Sequence, residues 1–485
     1  MTVTKPDNYP VEPAELWQHF YQITQTPRPS GEEAALRSHI IELAERAGQT
    51  WKTDTAGNLV VYVAGSQGRG EEAAVIIQNH LDMVTVKTDD KDHDFSLDAL
   101  TLKVEDGWLL ADRTTLGADN GLGCAAALAL MTDPSVFHPP LELLFTVEEE
   151  TGLYGAADLD AGLLSGTRML NLDTEDWGEV FVGCAGGRGW ILRREMERAT
   201  EPGTGESWRL SLRGLAGGHS GIQIHQQLGN AIKLLGQWLV EARDLDVRLC
   251  AFDGGVAHNV IPREASLDFH CAPGLRTQLE ALNAGLLARW QSYLPEADAG
   301  LELCLEPVES ALAVTPALQA LFQQLIMIFP HGAISYNLER PAELVDLSIN
   351  LAILRLHAKG LYLETTLRYF NEKQALGLAQ QVLAIADWLE AEPEQTVNYP
   401  GWQPEFDNPL LAQTVALYAE LFGNPPAIKA IHAGLECGIL KSKKSDMDIV
   451  SFGPTIRGAH SPRERLEIAT VPGFWRLLTT LLERM

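Results

Sequence analysis

Positive charge is scarce in this chain: 37 Lys and Arg stand against 65 Asp and Glu, a net charge of −28 over 485 residues. A surface that acidic repels nucleic acid and anionic lipid, so neither is expected as a partner. No apolar run approaches membrane-spanning length, and the start, MTVTKPDNYPVEPAELW, has no basic segment leading into an apolar one. Neither a spanning helix nor a secretory signal is therefore expected. Cysteine is sparse and unpatterned. Cys124, Cys184, Cys250, Cys271, Cys304 and Cys437 form no CxxC pair, which does not suit a disulfide framework and makes a reduced, cytoplasmic setting the expectation. No GxGxxG follows the first expected strand, which argues against a dinucleotide-binding enzyme.

What is present is an ordinary globular composition, 46% apolar and 21% charged, in a chain long enough for two domains or more. Short apolar runs at 58–64, 73–78, 141–147 and 168–173 read as strands, with helices between them and an Ala-rich helix opening near 116 and running to about 131. That alternation predicts an α/β fold with a mostly parallel, doubly wound sheet. Near 182–187 the pattern changes, and 187–394 reads as an inserted α+β unit of split βαβ order. The stretch 391–401, AEPEQTVNYPG, with its prolines and acids, reads as the linker back. The expected plan is a discontinuous domain of 1–186 and 395–485 carrying a lid, 187–394.

The strand at 141–147 runs into three carboxylates, LLFTVEEETG. Such a triplet alone suits a solvated turn. In an open α/β sheet, however, ligands bind beyond the carboxyl ends of the strands. His80, Asp82, Glu149, Glu150 and Asp173 all follow strand ends, Asp119 opens a helix, and His460 follows the last expected strand. Each alone also reads as a cap or a turn residue. Together they place imidazoles and carboxylates at one sheet edge, the ligand types that zinc, cobalt or manganese accept, in numbers that suit two ions sharing a bridging carboxylate. The triplet leaves a one-residue ambiguity of register, with Glu148 read as pointing away.

The segments NHLDMV (79–84), TLGADNG (115–121), TVEEETG (146–152), NLDTE (171–175), GGHSG (217–221), HAGLECG (432–438) and GPTIRGAHSP (453–462) resemble those of the bacterial aminoacyl-histidine dipeptidases. These are co-catalytic zinc exopeptidases related to aminoacylase and to the tripeptidase type of aminopeptidase. The resemblance implies that His80 and Asp173 hold one zinc, Glu150 and His460 the other, and that Asp119 bridges them. It implies Glu149 as the general base and Asp82 as the group that fixes an imidazole. In the inserted unit it implies that His219 polarises the scissile carbonyl, that Asn259 and Arg368 contact substrate, and that His432 and Glu436 line the pocket. The implied substrate is a dipeptide of Xaa-His type, such as β-alanyl-histidine, and the implied assembly is a homodimer through the lid. An N-acyl amino acid hydrolase, a broader di- or tripeptidase, and an inactive metal-binding relative remain the alternatives.

Overall fold

The runs LVVYV, VIIQNH and LELLFT, at Leu59–Val63, Val75–His80 and Leu141–Thr146, are led by apolar residues and buried on both faces. That is what strands covered by helices on either side require. In the computed structural model, which describes residues 5–195, 205–309, 312–337, 344–357 and 360–485, the chain divides into two units. The first comprises Met1–Cys184, Trp402–Ala430 and Leu435–Met485, the second Ala185–Gly401 and Ile431–Gly434.

In the first unit an eight-stranded sheet runs in the order Thr50–Thr53, Leu59–Val63, Leu141–Thr146, Val75–His80, Arg168–Asn171, Asp448–Ser451, Glu179–Cys184, Ala427–Ile431. Parallel pairing joins the middle strands, from Leu141–Thr146 through Asp448–Ser451. Antiparallel pairs flank them at Leu59–Val63 and Glu179–Cys184. The parallel core expected from the sequence thus sits inside a mixed sheet, and its carboxyl ends share one edge. The helix Ala118–Thr132 is buried nearly all round, as an apolar helix of small residues must be. Val471–Arg484 buries one stripe, Val471, Phe474, Leu477, Leu478, Leu481 and Leu482, at helical spacing.

A polar tract crosses the middle of this otherwise apolar sheet. The Ser451 hydroxyl donates to Asn171 Oδ1 at 2.5 Å, Asn171 Nδ2 donates to Gln78 Oε1 at 2.5 Å, and Gln78 Nε2 donates to Glu436 Oε2 at 2.5 Å. Thr146 Oγ1 donates to the same Glu436 oxygen at 2.6 Å. Glu436 is wholly buried at the start of the helix Glu436–Lys443. Burial pushes its carboxyl up to about 8, against the pull of His80 and Thr146.

The second unit carries a nine-stranded sheet in the order Glu302–Pro307, Glu206–Arg213, Ala265–Cys271, Arg248–Gly254, Leu344–His357, Gly360–Tyr369, Gly186–Arg194, Glu392–Tyr399, with Gly332–Asn337 alongside Leu344–His357. Its core gathers Trp238, Phe252, Phe269 and Phe322. The stretch 391–401, expected as a linker, is mostly the strand Glu392–Tyr399, paired antiparallel with Gly186–Arg194. It occupies the sheet's edge and is largely exposed, which is where proline and charge are tolerated in a strand.

Candidate metal centre

Each middle strand of the first unit delivers an ionisable group as it ends. Val75–His80 closes on His80, with Asp82 two residues beyond; Glu149 and Glu150 follow Leu141–Thr146; Asp173 follows Arg168–Asn171; and Asp448–Ser451 leads into the loop carrying His460. Asp119 enters from the first turn of Ala118–Thr132.

Asp119 lies between the two imidazoles. Its Oδ1 is 3.1 Å from His80 Nε2 and its Oδ2 is 3.2 Å from His460 Nε2. His80 Nε2 is also 3.3 Å from Asp173 Oδ1, and His460 Nε2 is 3.1 Å from Glu150 Oε2. Two ligand atoms each about 2.0–2.1 Å from a tetrahedral zinc are separated by about 3.3 Å. These spacings therefore match the edges of two ligand shells that share Asp119. His80, Asp119 and Glu150 further offer ligand atoms all within 4.8 Å of one another, and Glu150 Oε1 is buried without a hydrogen-bond partner. The donor set is nitrogen and carboxylate oxygen throughout, and it fits a pair of divalent cations.

Electrostatics point the same way. Burial pushes Asp173 up to about 6, with Asp119 and Glu150 adding repulsion against the pull of His80. Burial likewise raises Glu149 well above the usual carboxylate range, His80 opposing and Glu150, Asp173 and Glu436 reinforcing. Glu175 is pushed to about 8 by burial and by Asp119. Burial opposes protonation of His80, yet Asp173, Asp119 and Asp82 hold its imidazole well above the ordinary value. Hydrogen bonds to Asp119 and Glu150 carry His460 to about 11. Acids this crowded repel one another until cations intervene, and bound cations invert that balance.

Asp82 braces the arrangement. Its Oδ1 lies 3.3 Å from His80 Nδ1 and accepts the Glu149 N–H at 3.1 Å; its Oδ2 accepts the Ser30 hydroxyl at 2.7 Å and the Glu150 N–H at 3.1 Å. One carboxylate thus orients an imidazole and seats the backbone of two acids. Glu148 differs. Its N–H donates to Glu33 Oε1 at 3.0 Å, its φ is +52°, and it lines a separate cleft with Glu33, Arg37 and Asp54. Among the described residues Glu149 makes no ion pair with either imidazole, so its carboxyl is not engaged as theirs are.

Gly453 sets how closely two of these segments approach. A β-carbon there would overlap the Thr174 carbonyl oxygen, one residue past Asp173. Gly453→Ala is expected to cost about 1–3 kcal/mol through overpacking, read as a lower urea midpoint. An unchanged midpoint would mean that the two segments part freely.

The remaining sequence-predicted residues, His219, Asn259, Arg368 and His432, lie in the second unit, whereas Glu436 belongs to the first, beneath its sheet edge. His219 and Val260 pair across a two-stranded ribbon, and the Ser220 N–H donates to the Asn259 carbonyl at 2.8 Å. Arg368 stands opposite Ser348 across adjacent strands, and the Ser348 hydroxyl lies 2.7 Å from His432 Nε2. Arg368 is buried, and its guanidinium reaches Tyr399 Oη at 3.4 Å while Nε has no hydrogen-bond partner. Burial, aided by Arg368, lowers His432 to about 3 and keeps it neutral. Sequence reading missed Arg28 and Glu464, which act on backbone and leave no spacing signal; Glu175 was visible only as the last letter of NLDTE.

Residues 210–298 match the peptidase dimerisation domain family. Over 477 residues, covering 98% of both chains, this chain is 36% identical to the cytosol non-specific dipeptidase of Escherichia coli strain K12. The chain belongs to the M20 peptidase family. It is a metal-dependent dipeptidase of that family, a hydrolase. The aminoacylhistidine dipeptidase of Vibrio alginolyticus superposes with a TM-score of 0.86 at 35% identity, covering 98% of this chain and 97% of that one. A Staphylococcus aureus tripeptidase shares the M20 fold at a TM-score of 0.54 and 16% identity, over 97% of each chain. Among the described residues of this M20 dipeptidase, no helix is long and apolar enough to cross a membrane.

Proposed function

We propose that this M20 dipeptidase cleaves Xaa-His dipeptides such as β-alanyl-histidine, using two divalent cations, zinc by preference with cobalt or manganese as substitutes. The observation that carries the reading is Asp119, one oxygen against each imidazole. In this reading His80 and Asp173 hold one ion, Glu150 and His460 the other, and Asp119 is shared. When bound, such a pair brings the pKa of a coordinated water to about 7 and polarises a carbonyl oxygen.

The protein's own groups do the rest. Glu149, free of either imidazole, takes the proton of the attacking water on its carboxylate and returns it to the leaving amine. Asp82 holds the His80 ring in place and seats the main chain of Glu149. In the second unit, Arg368 presents a buried guanidinium whose fork suits a substrate carboxylate. His219 is assigned to the scissile carbonyl and Asn259 to substrate contact, and His432 and Glu436 are assigned to the lining of the substrate pocket. A homodimer through the second unit is supported by the dimerisation-domain match. A cytoplasmic setting is supported by the name of the Escherichia coli relative, a cytosol dipeptidase.

A second reading, a dipeptidase of broad tolerance, is favoured by the name of the Escherichia coli relative. One experiment addresses both. Chelator-stripped protein is expected to lose activity and to regain it with zinc, cobalt or manganese, with two ions per chain by elemental analysis. The restored enzyme is then offered β-alanyl-histidine, other dipeptides and N-acyl amino acids. Preference for Xaa-His supports the first reading, and equal rates across dipeptides support the second. Preference for N-acyl amino acids, or full activity in chelator, overturns both.

A further inference from the structure

Two buried charged residues outside the ligand set grip the turn that delivers Asp119, from opposite sides. Glu464, four residues beyond His460 and only 2% exposed, spreads its carboxylate over the turn's amides. Oε2 accepts the Leu116 and Gly117 N–H groups at 2.8 and 3.0 Å; Oε1 accepts those of Ala118 and Asp119 at 2.8 and 3.5 Å. Arg28, also 2% exposed, donates through Nη2 to the Gly117 carbonyl and through Nη1 to the carbonyls of Leu81 and Asp82 at 2.8 and 2.6 Å. Gly117 is thus held at its N–H by a carboxylate and at its C=O by a guanidinium. Arg28 and Glu464 form no ion pair with each other among the described residues; they meet through the main chain between them.

The sequence makes room for this grip. Gly117 has φ +65°, and a β-carbon there or at Gly121 would run into Arg28 Nη2. A planar guanidinium with a rigid fork can reach both the 81–82 carbonyls and the 117 carbonyl, which a lysine ammonium on its single point cannot. Burying either charge is expensive unless every polar edge is satisfied. Spending two of them on main-chain groups of ligand-bearing loops calls for a reason beyond packing.

We propose that Arg28 and Glu464 are positioning residues that fix the shared carboxylate of Asp119 relative to His80 and His460, so that the spacing of the ion pair is set by this clamp. Arg28 ties the Asp119 turn to the backbone around His80. Glu464 ties the same turn to the loop of His460. Groups that orient ligands typically carry 10–100-fold in metal affinity or activity. The proposal rests on the di-metal reading above.

The test compares Glu464→Gln and Arg28→Lys with Glu142→Gln. Glu142 is an internal control, a carboxylate 3% exposed that likewise holds backbone, accepting the Ser165 and Gly166 N–H groups. It stands near the amino end of Leu141–Thr146, away from the ligand-bearing edge. Each chelator-stripped protein is titrated with Co²⁺ by visible absorption, melted, and assayed on β-alanyl-histidine after loading. Glu464→Gln and Arg28→Lys are expected to bind Co²⁺ 10–100-fold more weakly, with an altered absorption band and a fall in kcat larger than any change in KM. Glu142→Gln is expected to melt lower with wild-type Co²⁺ affinity and kcat. Wild-type affinity, band and kcat in both clamp variants would overturn the proposal, whatever their melting temperatures. Should a clamp variant fail to fold, Glu464→Asp, one methylene short of spanning both amide pairs, replaces it under the same criterion. If wild type binds no Co²⁺ and turns over in chelator, the di-metal reading itself has failed, and the clamp with it.

Discussion

Glu149→Gln is expected to keep two ions per chain and the wild-type fold while kcat falls by roughly 10²–10⁴, the usual worth of a positioned proton carrier. The expectation follows from where the residue stands. Its N–H is held by Asp82, its carboxyl is buried among Glu150, Asp173 and Glu436, and neither imidazole engages it as Asp119, Asp173 and Glu150 are engaged. A carboxamide keeps that shape and removes the proton acceptor. Elemental analysis and single-turnover rates on the purified variant decide the matter. Loss of an ion would move Glu149 into the ligand set, and retained turnover would hand the proton to Glu148 or another acid.

Asp119→Ala has the opposite signature. On the proposed ligand set both shells lose an edge, so both ions are expected to bind far more weakly and activity to fall by about 10³-fold or more, given several kcal/mol of lost charge stabilisation. Stability separates this from simple damage. Ions that bind only the folded state raise its melting temperature by mass action, so wild type is expected to melt higher with zinc than without. Asp119→Ala is expected to lose that gap. Its ion-free form is expected to melt lower than ion-free wild type, because without ions Asp119 pairs with the imidazoles of His80 and His460, which hold its carboxyl below the usual range. The loss of the zinc-dependent gap, not the ion-free value, is the signature. A zinc-dependent rise in melting temperature equal to that of wild type would show that the site assembles without Asp119.

Parallel strands aim their last residues in one direction, so chain order alone exposes which side chains can meet at a sheet edge. His80, Asp173 and the acids after Thr146 were legible in that way. The grip of Arg28 and Glu464 was not, since side chains that bond main chain are indifferent to the identity of the residues they hold. The strand Glu392–Tyr399 escaped for a different reason: its prolines and acids belong to an exposed edge, where alternation between core and solvent faces fades. Glu148 stood in the same triplet as its neighbours, and only its left-handed backbone and the bond to Glu33 separate it from them.

The row of Ser451, Asn171, Gln78 and Glu436 has a bearing on the metal centre that none of these residues shows alone. Leucine and valine strands are nearly indifferent to sliding past one another, and a slip of one residue moves a strand by about 3.3 Å and turns every side chain to the other face. Gln78 stands level with Asn171, and Asn171 level with Ser451, across three adjacent parallel strands. Their amides and hydroxyl close only in that alignment. The tract therefore works as an index mark: it admits one alignment of the strands, and in that alignment His80 and Asp173, each two residues beyond it, leave the sheet level with one another, beside the strand that leads to His460.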